Sequence, residues 1–239
     1  MTMFKATPER VIWLIEHLPK HIQRQLLIQR IDMLLGYGMI QDIDGKIKLL
    51  YMDKSCDVTE LLQSKLATLR NCINIEQIFW HIQKPDRLWL LNHLRTIYVF
   101  DKPEYSELLR DAWISTEFPH QMSNAVLTQM FWNAEQKHLM TENEIEALGI
   151  LPEVITIYRG LQEKKTRHKA LSWTTNIDVA RWFATRWHEP KSGITPRILT
   201  SKIKKSDVYM YTDQRNEKEL VVNPNRLMKL SEVAGLEIT

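Results

Sequence analysis

Three short stretches of this chain carry residue types that could do chemistry together. The first is Tyr158-Arg159-Gly160, where a guanidinium offers a planar fork able to grip phosphate oxygens through two hydrogen bonds. The second is Leu171-Ser172-Trp173-Thr174-Thr175-Asn176, a run of hydroxyls ahead of Ala180, Phe183 and Ala184. The third is Asn216-Glu217-Lys218-Glu219-Leu220-Val221-Val222, a Glu-x-Glu pair. A fixed carboxylate stabilises developing positive charge and can hold a hydroxyl. Each stretch also has a plain structural reading. An Arg at a strand end faces solvent, a Ser/Thr cluster caps a helix (Thr175 or Asn176 could do so here), and carboxylates two apart are solvated.

The elements that would position these groups fall into two textures. Val11, Ile12, Leu14, Ile15 and Leu18 recur at helical spacing, and Leu26, Leu27, Ile31, Leu34 and Leu35 repeat the pattern up to Gly36. Asp44-Gly45 between alternating apolar residues predicts a hairpin over 39–50. Helices are expected over about 58–94, with a new element at Pro85, and over about 105–137, broken near Pro119. Thr141-Glu142-Asn143-Glu144 has capping-box spacing for a short helix ending near Gly149. Strands are then expected at 153–158, 197–203, 208–211 and 219–222, with a helix at 177–187. Helices first and strands later give an α+β fold, with a mainly helical region at 1–98 and a strand-rich domain at 99–239.

Taken in order, the Arg, the Ser/Thr motif and the Glu-x-Glu pair resemble the Arg–Ser–Glu class of ADP-ribosyltransferases. That class includes bacterial toxins with a Glu-x-Glu motif and related phage enzymes. The resemblance runs over about 155–224 and includes the Ala-x-x-Phe-Ala texture and the apolar run after Glu219. It implies a split β-sandwich after the helical region, with NAD as substrate rather than as a resident cofactor. Glu219 matches the catalytic Glu beside the nicotinamide ribose, where bond cleavage builds positive charge as in glycoside hydrolysis. Ser172 matches the Ser that holds that Glu, and Arg159 the Arg that grips the dinucleotide. Tyr158, Gly160, Thr174, Trp173 and Phe183 complete the expected NAD-binding set. Glu217, which shares a strand face with Glu219 if the strand has already begun there, matches the acceptor-positioning Glu, and Tyr211 and Gln214 fall where the class carries its acceptor-recognition loop. Trp173, Trp182 and Phe183 are candidates for an aromatic wall, though Trp182 and Phe183 also suit a core. The sequence departs from the class in its short Arg159-to-Ser172 connection and in Trp173, which stands where a small residue is usual; both imply a compact site.

Composition narrows the partners. The segment 159–205 holds 12 Lys or Arg against 3 acids, within a chain of net charge +3. A local excess of roughly +9 attracts a diphosphate or a polyanion and repels a cationic side chain. A nucleic-acid acceptor (RNA or DNA base) is therefore favoured slightly over the protein arginine that Glu-x-Glu implies in the class. A non-catalytic module that binds nucleic acid or a partner protein is the reading from a different class. The sequence lacks the Gly-rich dinucleotide fingerprint and the P-loop. His17 and His21 stand four apart around Pro19 with no H-E-x-x-H, so no metal is expected. Cys56 and Cys72 read as reduced thiols, and no secretory leader or apolar run of membrane length stands out, so a cytoplasmic location is expected. Small cytoplasmic members of such a class suit a toxin role in phage defence or a toxin–antitoxin pair, with an inhibitor protein as a further partner.

Overall fold

The computed structural model describes residues 3–28, 37–41, 47–51, 59–116, 122–161, 169–186 and 195–233, the second and third of these ranges as backbone only. The chain divides into two compact units, Met1–Gln121 and Met122–Thr239. Among the described residues no helix is long and apolar enough to cross a membrane.

The first unit is mainly helical. Its described helices are α1 (Pro8–His17), α2 (Lys20–Leu27), α3 (Thr59–Arg70), α4 (Ile75–His81), α5 (Arg87–Arg95) and α6 (Lys102–Ser115). Thr7 and Asn74 cap α1 and α4 by accepting backbone N–H groups that the first turn leaves unsatisfied. The apolar stripes of these helices bury Val11, Ile15, Leu26, Leu69, Ile78, Leu91, Leu94 and Leu109. Two short strands, β1 (Phe4–Lys5) and β4 (Tyr98–Val99), pair in parallel. The expected hairpin is present as β2 (Tyr37–Gln41) against β3 (Ile47–Tyr51), in register from Tyr37↔Tyr51 to Gln41↔Ile47. Its Asp44-Gly45 turn lies outside the described residues, as do Ile31, Leu34, Leu35, Gly36, Pro119 and Cys56.

The units divide later than the 98/99 boundary read from the sequence. Helix α6 belongs with the first unit because it buries Leu108, Leu109, Ala112 and Trp113. It is tied there by Lys5–Asp101 (2.6 Å) at its start and by Thr116 donating to the Lys84 carbonyl (3.0 Å) just past its end.

The second unit is α+β. Helices α7 (Asn124–Trp132) and α8 (Glu142–Ile150) precede β5 (Val154–Leu161), β6 (Ser172–Thr174), α9 (Ile177–Thr185), β7 (Arg197–Lys204), β8 (Val208–Thr212), β9 (Glu219–Val222) and β10 (Met228–Glu232). The capping box at α8 forms in both directions. Glu144 also accepts from the Thr212 hydroxyl (2.6 Å), which ties the helix start to β8.

Six strands form one sheet of order β10-β7-β5-β6-β9-β8, with antiparallel neighbours throughout. The sheet is not uniform. Strand β5 pairs with β7 over its whole length, from Val154↔Lys204 to Leu161↔Arg197, but with β6 only at Tyr158↔Thr174. Two three-stranded halves therefore meet at a narrow seam, and the chemistry-bearing residues flank it. Strands β6 and β10 were not expected from the sequence. The first is only three residues long, and the second is largely exposed and so shows little apolar alternation.

Candidate active site

The seam brings Arg159 and Ser172 together with Glu219, which lies 47 residues beyond Ser172. Arg159, near the end of β5, donates from Nη1 to the main-chain carbonyl of Ser172 (2.7 Å). Ser172, the first residue of β6, donates from Oγ to Oε1 of Glu219 (2.6 Å). Glu219 opens β9 opposite Thr174 and is only 7% exposed. The guanidinium is thus bonded to the main chain of Ser172 and the Ser172 hydroxyl to the carboxylate, across β5, β6 and β9. A short hydrogen bond to a carboxylate is charge-assisted, and it fixes the orientation of a group that would be costly to bury unpartnered.

Thr174 is buried and organises the neighbouring loop. Its Oγ1 donates to the Glu217 carbonyl (2.7 Å) and accepts from the Asn176 N–H (3.0 Å). Of Thr175 and Asn176, it is Asn176 that caps α9, accepting from Asp178 N–H (2.8 Å). The Ser/Thr cluster itself is strand, not cap, because Ser172-Trp173-Thr174 pairs residue for residue with β9.

Glu217 is not on the strand with Glu219. Lys218 between them has φ 44°, and Asn216 has φ 56°, so the period-two argument that would align the two carboxylates fails. Both residues sit in the left-handed region, at a cost of order 1–3 kcal/mol each and less for Asn. The turn is held by Asp213, whose Oδ1 accepts from Lys218 N–H (3.0 Å) and whose carbonyl accepts from Asn216 N–H (3.0 Å). Glu217 is mostly buried and pairs with Arg215 through Nη2–Oε2 (3.0 Å). Neither Arg215 nor Asp213 stands out in the sequence. The Arg-x-Glu-x-Glu spacing is the one signal that could have marked Arg215.

Four other expectations change. Gly160 is demanded by packing. A Cβ there would lie 2.6 Å from Ala184 N and 3.1 Å from Phe183 C, and closer still to the Ala180 carbonyl, so the glycine lets α9 lie directly on β5. Trp173 is 2% exposed and donates its indole N–H to the Ala170 carbonyl (2.7 Å), which makes it core rather than a ligand wall. Tyr211 is 7% exposed, and burial pushes its phenol above the ordinary range, with Asp213 and Glu144 adding to the effect. It is therefore buried in β8, while Gln214 is exposed. Trp182, a candidate for the core, is 53% exposed.

Tyr158 and Phe183 are half-buried. Tyr158 packs on the cluster of Ala180, Ala184 and Ile198. Phe183 meets Trp182 edge-on, and the Arg186 guanidinium lies 4.6 Å from the Phe183 ring centre. Among the described residues no group of three or more His, Cys, Asp or Glu is placed to hold a metal ion. Comparison with protein-family models, with curated proteins and with solved structures finds no match to this chain.

Proposed function

We propose that the chain is an NAD-dependent mono-ADP-ribosyltransferase of the Arg–Ser–Glu class, with the second unit as a split β-sandwich whose two halves meet at the β5–β6 seam. The observation that carries this reading is the hydrogen-bonded series Arg159–Ser172–Glu219 across that seam. The seam's single pairing at Tyr158↔Thr174 supports the split. In this mechanism the Arg159 guanidinium engages the diphosphate, whose charge and geometry suit its fork. Glu219, held by the Ser172 hydroxyl, takes a ribose hydroxyl and stabilises the positive charge that grows on the sugar. The bond to nicotinamide breaks with its electron pair leaving on nicotinamide. The acceptor then attacks the same carbon and releases a proton. Placement on strands suits this work, because a strand fixes a carboxylate better than a loop does.

Nucleic acid is the preferred acceptor, on the strength of the basic segment 159–205. A cytoplasmic toxin in a defence or toxin–antitoxin setting, restrained by an inhibitor protein, is the role proposed with it. Growth arrest on induced expression, relieved by a neighbouring gene product, tests that role.

The deciding experiment incubates the full chain with NAD labelled in its ADP-ribose part and separate RNA, DNA and protein fractions, while nicotinamide release is followed. Release of nicotinamide and label on RNA or DNA are expected, both lost in Glu219→Gln. A folded chain that releases no nicotinamide and still binds RNA would replace the enzyme by a non-catalytic binding module. Label found on protein alone would move the acceptor to arginine.

A further inference from the structure

The Arg215–Glu217 pair bears on which acceptors this site takes, and the inference from it rests on the function proposed above. A carboxylate beside a transferase centre can recruit a guanidinium by pairing with it. Here that carboxylate already holds one. Arg215 Nη2 lies 3.0 Å from Glu217 Oε2, and the Glu217 side chain is 16% exposed against 43% for Arg215.

The pair is built into a clamped turn. Asp213 binds the N–H groups of Asn216 and Lys218. Thr174 donates to the Glu217 carbonyl, and the Thr175 N–H donates to that of Lys218 (3.2 Å). The left-handed φ angles of Asn216 and Lys218 set the path of the chain on either side of Glu217. Arg215 is therefore presented to Glu217 by a turn of fixed shape, not by chance contact of two long surface chains.

We infer that Arg215 is a specificity determinant: it occupies the Glu217 carboxylate and shuts out guanidinium acceptors, leaving the site to acceptors without a cationic group, such as a nucleobase. A partly exposed pair of this kind is formed about five-sixths of the time and leaves about one-sixth of the molecules competent for an external guanidinium, so apparent affinity for one falls about sixfold.

The test offers agmatine, a small guanidine compound, as acceptor to the full chain with labelled NAD, and follows nicotinamide release in parallel. In the transfer, the bond from ribose C1′ to nicotinamide breaks with its electrons going to nicotinamide. A bond from C1′ to a guanidino nitrogen forms, and that nitrogen gives up one proton. Arg215→Ala and Arg215→Gln are expected to raise transfer to agmatine about sixfold at sub-saturating concentration. Arg215→Lys keeps the charge and is expected to stay near wild type. Arg215→Ala combined with Glu217→Gln is expected to lose the gain. Equal agmatine transfer in the wild type, Arg215→Ala and Arg215→Gln, with nicotinamide release intact, overturns the inference and leaves the proposed function standing. No nicotinamide release from the folded wild type overturns the proposed function itself.

Discussion

Gly160→Ala separates two explanations of one residue. The structure puts the missing side chain against the backbone of α9: an added methyl carbon would sit 2.6 Å from Ala184 N and 3.1 Å from Phe183 C, with the Ala180 carbonyl nearer still. These are main-chain atoms of a helix, so relief requires the helix to lift from the strand as a body. Overpacking of this kind costs about 3 kcal/mol, the upper end of its usual range, because no rotamer can absorb it. The intrinsic gain from replacing a strand glycine offsets roughly 0.5–1 kcal/mol. A net loss of about 2 kcal/mol lowers the melting temperature of a unit this size by about 8 °C. Circular dichroism melts of the full chain, read at the transition of the second unit, measure it. A variant that melts within about 1 °C of wild type would refute the packing argument. If such a variant also showed a raised KM for NAD, the glycine would belong to ligand approach, as the sequence alone suggests.

Three further outcomes follow from the same structure. Ser172→Ala removes the donor to Glu219 Oε1 and should lower the rate of nicotinamide release by about a hundredfold through loss of carboxylate orientation, and, because that carboxylate is buried, should also destabilise the second unit by about 1–3 kcal/mol in urea unfolding. Glu144→Ala breaks the capping box of α8 and the bond to Thr212 together, and should destabilise the second unit by about 2 kcal/mol in urea unfolding. Burial pushes the Tyr105 phenol up to about 12 from its ordinary 10.0. Between those values the unfolded chain ionises first, so stability of the first unit falls as pH rises from 10 to 12, and Tyr105→Phe should flatten that decline.

What the sequence made legible follows from where the signal is local. Thr141 and Glu144 announce a capping box because both partners lie within one turn, and the box forms as read. The β-branched run at 154–158 and the apolar run at 220–222 declare strands for the same reason. Strand β6 was hidden because three residues cannot show a period, and its pairing depends on β9 some 45 residues away. Trp173 is core, and at Gly160 a packing demand stands beside the ligand demand that the sequence suggests, since both demands select the same residue types. The left-handed Lys218 leaves no mark in composition, so the sequence alone aligned Glu217 with Glu219. The proximity of Arg159, Ser172 and Glu219 was expected from the order of motifs rather than from any local pattern.

The two hydrogen bonds of Thr174 join the first residue of the α9 cap to the main chain at Glu217 through a single oxygen atom. Whatever moves one is felt by the other. Diversification of such a site under selection would spare the course of the loop and act on the side chains it displays at 214 and 215. Sequences that share this loop should accordingly keep a threonine or serine here while differing at those outward positions.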